Sequence, residues 1–154
     1  MLETPQIMHT TAQLTAVIHV TVPRERMQQV MGPGLTELMS IVAGQGIAPA
    51  GPWFTHHFKM APDTFDFEIG VPVTASIAAA GRVQAGQLPE MRVARTIYRG
   101  PYEGLARAWG ELDAWIVAQG HVPAADLWEC YVRGPESGDE PATWQTELTR
   151  PLLD

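Results

Sequence analysis

The sequence predicts an α+β fold built from two similar βαββ halves, in which an antiparallel sheet carries both helices on one face. The first observation is the order of segments, because β-rich stretches flank two stretches whose apolar residues recur at helical spacing. The second is an internal repeat: the pattern Gln-Gly-x-x-Pro-Ala begins at Gln45 and again at Gln119, 74 residues later. We therefore interpret the chain as a duplication with pseudo-twofold symmetry and a central pocket between its halves.

The first half predicts strand, helix, strand and strand. Residues 13–22 (QLTAVIHVTV) are rich in β-branched side chains, which is typical of a strand. From 24 to 44, apolar residues recur every three or four positions, and this predicts a helix that is kinked or begins afresh at the Gly-Pro-Gly interruption, 32–34. Two strands follow at 53–60 and 64–73, the second with phenylalanine and isoleucine alternating with acidic residues.

The second half repeats this order after an Ala/Gly-rich connector, 75–86, which holds a short strand near Arg82–Gln84. Gly100-Pro101 separates the next strand from its helix, and Gly120 is placed to cap that helix. The predicted elements are a strand at 91–99, a helix at 102–119, a strand at 127–133, a polar loop at 134–141 and a closing strand at 143–149.

The length of 154 residues fits one domain spanning the chain, since domains average roughly 150 residues. We place the first half at about 11–73 and the second at about 88–150. Only about a dozen residues precede the first predicted strand, so no separate DNA-binding domain is expected.

Charge and cysteine content narrow the partners and the compartment. Seventeen acidic against ten basic residues give a net charge of −7, and no Lys/Arg cluster is present, so we expect no direct nucleic-acid binding. No apolar run approaches the ~18 residues of a membrane helix, and Cys130 is the single cysteine. These features predict a cytoplasmic protein without membrane contact, and they leave its oligomeric state open.

Cofactor and metal motifs are absent from the sequence. The chain has no phosphate-binding loop, dinucleotide fingerprint or nucleophile elbow. His56 and His57 are adjacent and point to opposite faces of a strand, and the other histidines lie at no ligand spacing. We therefore expect neither a cofactor nor a metal site.

A carboxylate in an apolar strand is the first candidate for function. In Trp128-Glu129-Cys130-Tyr131, alternation places Glu129 and Tyr131 on one face of the strand. An unpaired charge is costly to bury, so such a group is paired, neutral or available to a ligand. The alternative is an edge-exposed glutamate, or one paired with Arg95 or Arg99.

Further ligand-binding candidates come from the repeat and from the aromatic residues. The 74-residue offset matches His57 to Tyr131, so His57 is either a pocket wall or a satisfied core histidine. Tyr98 and Tyr102 flank the Gly100-Pro101 break, where their hydroxyls could rim a pocket or satisfy turn backbone. Two tryptophans complete the set: Trp109 on the second helix, which like Trp115 could be core instead, and Trp128, which alternation places on the face opposite Glu129.

Several segments together resemble the GyrI-like small-molecule-binding family, which includes the effector-binding domains of AraC-type and MerR-type multidrug-responsive regulators. The segments occur in one order along nearly the whole chain: 67–73 (FEIGVPV), 88–89 (LP), 99–105 (RGPYEGL), 128–131 (WECY) and 144–148 (WQTEL). The resemblance implies a duplicated βαββ architecture with an aromatic-lined pocket. It also implies that Glu129 lies at the floor of this pocket, where it attracts cationic lipophilic ligands, and that Tyr131 faces it.

Three functions follow from these patterns. The first is a standalone effector-binding or drug-sequestering module for hydrophobic, cationic small molecules, with Glu129 as the countercharge. The alternative is a cofactor-free hydrolase of strained electrophiles such as cyclopropanoid DNA alkylators, in which Glu129 is the general base and Tyr131 donates to the leaving oxygen. A second alternative is a gyrase-inhibitor-like protein that binds a protein partner through its acidic surface.

Overall fold

The computed structural model describes residues 2–60, 63–134 and 140–153, and its α+β fold class is the predicted one. The chain divides into two compact units, a first unit of Thr11–Glu90 and a second unit of Met1–Thr10 together with Met91–Asp154. The elements in chain order are β1 (Gln6–His9), β2 (Gln13–Pro23), α1 (Met27–Gly44), β3 (Phe54–Met60), β4 (Thr64–Pro72), β5 (Val83–Leu88), β6 (Arg92–Arg99), α2 (Leu105–Ala118), β7 (Leu127–Arg133) and β8 (Gln145–Pro151).

The first unit is an antiparallel sheet in the order β3-β4-β2-β5, and α1 packs on one face of it. Helix α1 is one continuous element with Pro33 inside it, so of the two predicted alternatives, a kink or a fresh start at 32–34, the fresh start is wrong. Apolar residues before and after Pro33 pack against the same core. Gly34 allows this close approach, since a Cβ there would lie 2.7 Å from Cδ1 of Ile69.

The second unit is an antiparallel sheet in the order β1-β6-β8-β7. The face that α2 covers carries the buried side chains of Ala94, Leu127 and Leu148, with Leu112 and Ile116 from the helix. Strand β1 has no counterpart in the sequence prediction, because it has only four residues and is mostly exposed. Its pairing with β6, not its own pattern, makes it a strand.

The two edge strands are exchanged with respect to chain order. β1 lies just before β2 in the chain but pairs with β6, and β5 lies just before β6 but pairs with β2. Strand β1 therefore completes the sheet of the second unit, although β2 belongs to the first. Strand β5 completes the sheet of the first unit, although β6 belongs to the second.

The two copies of the Gln-Gly-x-x-Pro-Ala pattern adopt matching backbone structure. Gly46 and Gly120 both have positive φ, 70° and 82°, which suits glycine at a helix end. Within each pattern, the proline forms an isolated bridge: Pro49 pairs with Val73, and Pro123 pairs with Leu152. These matches support the duplication, which remains an interpretation of the sequence.

The last part of the chain departs slightly from the prediction. Residues 135–139 of the predicted loop Gly134–Pro141 lie outside the described residues. The closing strand begins at Gln145 instead of Thr143, because Pro141–Thr143 forms a short 3-10 turn. Across the described ranges, neither helix combines the length and the apolar character that a bilayer crossing demands.

We predict that Gly70→Ala destabilises the first unit. A Cβ at Gly70 would lie 2.4 Å from Cζ of Phe54, whose buried ring covers this glycine across β3 and β4. Moving the ring should cost about 1–3 kcal/mol of unfolding free energy, measured as a lower urea midpoint. Gly110→Ala is the matched control, because nothing lies within 4 Å of its Cβ position in α2 and alanine favours helix by up to ~1 kcal/mol. Equal midpoints for the two variants would contradict the argument.

Candidate functional site

The carboxylate of Glu129 is held by two neutral hydrogen-bond donors. Nε1 of Trp109, on α2, donates to Oε2 at 2.7 Å, and the hydroxyl of Tyr131, two residues along β7, donates to Oε1 at 2.7 Å. Alternation along β7 places Glu129 and Tyr131 on the face that α2 covers. The structure therefore brings together three of the residues that the sequence singles out.

The predicted alternative, a pair between Glu129 and an arginine, is not what the structure contains. Arg95 lies 3.5 Å from Glu147 and donates to Thr149, on the opposite face of the sheet from α2. Arg99 pairs with Glu3 at 2.6 Å. Within the described part of the chain, no cationic side chain forms an ion pair with Glu129.

The surroundings of Glu129 shift its acidity. The residue keeps some exposed surface, but burial of its carboxyl raises the pKa, and this is the largest effect. The hydrogen bonds from Trp109 and Tyr131 lower the pKa and offset part of that rise. The result is an acidic group whose ionised form has hydrogen bonds but no countercharge.

Aromatic rings continue from Tyr131 toward the end of the chain. The Tyr131 and Tyr102 ring centroids lie 5.8 Å apart at an interplanar angle of 67°, and those of Tyr102 and Trp144 lie 4.9 Å apart at 45°. Tyr102 thus joins the group, and Trp144 is an addition that the sequence candidates lack. The 144–148 segment belongs to the resemblance motifs, but nothing in its own pattern indicates an aromatic contact.

A cavity of about 360 Å³ lies on the flank of α2, near the lower end of the range for small-molecule sites. Tyr98 forms part of its wall, and the Tyr98 hydroxyl donates to the carbonyl of Pro101 at 2.9 Å. We call it the Tyr98 cavity. Its lining residues are Tyr98, Gly104, Arg107, Ala108 and Glu111, so Glu129 is not part of its wall.

His57 lies in the first unit, on β3, and is buried with 5% of its surface exposed. Its ring stacks on Phe67 with centroids 5.2 Å apart, and no described residue forms a hydrogen bond with its Nδ1. Burial lowers the pKa of His57 to about 4, with smaller contributions from His56 and Arg24. The imidazole is therefore neutral at physiological pH, and its role as a ligand-binding residue remains a prediction.

Trp128 and Cys130 occupy the other face of β7. Trp128 is buried, and alternation separates it from Glu129. Burial raises the pKa of the Cys130 thiol to about 12, so a reactive thiolate is not available at neutral pH. Among the described residues, no group of three His, Cys, Asp or Glu side chains has the arrangement to hold a metal ion.

Comparison with known proteins identifies both sequence and structural relatives. The sequence model of the GyrI-like small molecule binding domain matches residues 3–153. No curated protein matches the chain.

Three solved structures share the fold. The EcmrR C-terminal domain superimposes with a TM-score of 0.86 at 19% identity, covering 98% of each chain. This chain spans 57% of EcmrR in its DNA complex. SAV2435 bound to tetraphenylphosphonium has a TM-score of 0.65 at 15% identity, over 97% of this chain and 94% of that one. A hydrolase from Listeria innocua gives 0.71 at 11%, over 96% and 91%.

We predict that His57 lowers the unfolding free energy of the protein in acid. Its pKa is about 4 when folded and near 6.5 when unfolded, so the unfolded chain binds the extra proton between these values. The unfolding free energy should therefore fall as pH drops from 6.5 to 4, by roughly 3 kcal/mol in all. Chemical denaturation of wild type and His57→Phe across this range tests it, because the variant lacks that fall. Parallel pH profiles for the two proteins would show that His57 is not the cause.

Proposed function

Because the chain belongs to the GyrI-like family of small-molecule-binding domains, we propose that it binds lipophilic organic cations at Glu129. The observation that carries this proposal is the Glu129 carboxylate, hydrogen-bonded by Trp109 and Tyr131 but without a cationic partner among the described residues. A cationic ligand supplies the missing charge.

The balance of energies favours a ligand that is both charged and apolar. Burying a carboxylate without a countercharge is unfavourable, and the raised pKa of Glu129 reflects this cost. A lipophilic cation compensates the charge and is itself easily desolvated, whereas a small hydrated cation is not. Rings such as those of Tyr131, Tyr102 and Trp144 attract cations through their faces. The tetraphenylphosphonium bound to SAV2435 is a ligand of this chemical class.

The proposal assigns different roles to the candidate residues. Glu129 provides the charge, while Trp109 and Tyr131 orient its two oxygens. Tyr102 adds aromatic surface through Tyr131. The remaining candidates, Tyr98, His57 and Trp128, are ligand-binding only as predictions from the sequence.

We expect the ligand, not nucleic acid, to be the direct partner of this domain. EcmrR occurs in a complex with DNA, but this chain spans 57% of that protein. The net charge of −7 disfavours contact with phosphates. The alternative to a small-molecule ligand is a protein partner that binds to the acidic surface.

Glu129→Gln should lower affinity for tetraphenylphosphonium by about 30-fold or more in calorimetric titration. Removing one member of a buried charge pair costs roughly 2–5 kcal/mol, and glutamine keeps the size of the side chain. Glu25→Gln is the matched control, since it removes an exposed acid of the first unit that belongs neither to the contacts of Glu129 nor to the lining of the Tyr98 cavity, and it should change affinity little. Affinity for neutral triphenylphosphine oxide should be unaffected by Glu129→Gln. Equal losses in the two variants, or for both ligands, would refute the charge argument.

Affinity for the cation should also depend on pH. Because burial raises the pKa of Glu129, protonation removes its charge at a higher pH than for an exposed glutamate. Tetraphenylphosphonium affinity of the wild type should therefore fall on acidification, beginning above pH 4.5. The Glu129→Gln protein should show no such fall, and a pH-independent wild type would contradict the assignment.

A second function, hydrolysis of a strained electrophile, is favoured by the raised pKa of Glu129. A general base is most effective when its pKa lies near the pH at which the enzyme works. In that reaction Glu129 takes a proton from water as the water oxygen bonds to a cyclopropane carbon. The strained C–C bond breaks, and its electron pair passes to a conjugated oxygen of the substrate, which then takes up a proton. Tyr131 donates to Glu129 in this structure, so its predicted donation to a leaving oxygen requires a different hydroxyl orientation. Incubation with a cyclopropane-bearing alkylator, followed by mass spectrometry, distinguishes this from binding: turnover requires water addition that Glu129→Gln abolishes.

A further inference from the structure

Thr146 lies at the centre of the second unit's α2-facing surface. On β8 it is in register with Tyr131 of β7 on one side and with Tyr98 of β6 on the other. The residue is fully buried, and its Oγ1 has no hydrogen-bond partner among the residues that the structure describes. Such a hydroxyl is unusual, because buried polar groups almost always find a partner.

The two neighbouring tyrosine hydroxyls form their hydrogen bonds away from Thr146. The Tyr131 hydroxyl donates to Glu129 at 2.7 Å, and the Tyr98 hydroxyl donates to Pro101 at 2.9 Å. Less than 1 Å² of Oγ1 is exposed, and neither hydroxyl is its hydrogen-bond partner. An unpaired buried hydroxyl costs roughly 1–3 kcal/mol.

The fold itself does not require a hydroxyl at this position. In the first unit, Phe67 has the corresponding place on β4, in register with His57 of β3 and Val20 of β2. Phe67 is also fully buried and fills its position with a ring. An apolar residue therefore serves the sheet well, and Thr146 calls for another explanation.

Thr146 also lies between the two features that a ligand would use. Tyr131 on one side holds Glu129, and Tyr98 on the other side forms a wall of the Tyr98 cavity. Two consecutive residues of α2 also link the cavity to Glu129. Ala108 lines the cavity, and Trp109 donates to Glu129.

Electrostatics orients a ligand that extends from one feature to the other. Glu129 attracts the cationic centre. Arg107 lines the cavity beside Glu111, 3.6 Å away, so that end offers no net attraction for a positive charge. The uncharged part of the ligand therefore points toward the cavity, past Thr146.

We propose that Thr146 is a specificity-determining residue, whose hydroxyl donates a hydrogen bond to an acceptor on the uncharged part of the bound cation. The inference rests on the proposed function of Glu129 and adds a ligand class to it. These ligands are aryl-bearing organic cations that carry a hydrogen-bond acceptor. Because Thr146 is fully buried, the ligand reaches it by displacing a neighbouring side chain, and it supplies the hydrogen-bond partner that Oγ1 lacks among the described residues.

The first experiment examines the free protein. Thr146→Val keeps the shape and removes the hydroxyl, so the urea midpoint should stay the same or rise. Thr96→Val is the matched control on β6, because the buried Thr96 hydroxyl donates to the Glu3 carbonyl at 2.7 Å, and its loss should lower the midpoint. A Thr146→Val midpoint as low as that of Thr96→Val would mean that the Thr146 hydroxyl is satisfied and would overturn the inference.

The second experiment compares tetraphenylphosphonium with the three pyridyltriphenylphosphonium isomers, which match it in size and charge but carry one aromatic nitrogen acceptor. The wild type should bind at least one isomer about two- to tenfold tighter than tetraphenylphosphonium, the effect of one added hydrogen bond. Thr146→Val should erase this preference while binding tetraphenylphosphonium as the wild type does. Each protein gives a ratio of its affinities for the pyridyl isomer and for tetraphenylphosphonium. Dividing the wild-type ratio by the Thr146→Val ratio cancels the difference in hydration between the two ligands.

The outcomes separate the two proposals. If Glu129→Gln weakens every cation but Thr146→Val leaves the preference unchanged, or if the wild type shows no preference, the role of Thr146 is refuted and that of Glu129 stands. If none of the four cations binds the wild type, both proposals fail.

Discussion

The two hydrogen bonds that the Glu129 carboxylate accepts are the constraint on which the candidate site depends. Trp109 reaches the carboxylate from α2 and Tyr131 from β7, so the first contact joins the helix to the strand and the two together orient the charge. Neither donor is charged. Burial therefore remains the dominant influence on the carboxyl, and it leaves a negative group that an external cation can stabilise.

An exposed ion pair shows the contrast with Glu129. Glu37 pairs with Arg82 at 2.8 Å, and their side chains are 33% and 55% exposed. Exposed pairs of this kind are screened by water and by salt. A cation in solution therefore gains little from them, whereas Glu129 combines partial burial with the absence of a described countercharge.

Local patterns in the sequence account for most of the fold and for part of the site. Alternation along β7 is enough to place Glu129 and Tyr131 on one face, and helical spacing is enough to find α1 and α2. Strand β1 could not be predicted, because its pairing with β6 is set by residues more than 80 positions away. The same limit applies to Trp109, since helix periodicity indicates a buried face but not which strand residue that face meets.

Thr146 shows the limit most clearly, because a threonine in a β-rich segment predicts only a strand. Whether its hydroxyl has a partner depends on three strands together and on where the hydroxyls of Tyr98 and Tyr131 point. Neither tyrosine hydroxyl is bonded to Thr146, and within the described part of the chain its Oγ1 has no hydrogen-bond partner. Charge at Glu129 and an unpaired donor at Thr146 together describe a ligand in more detail than either does alone, because one selects for a cation and the other for an acceptor on it.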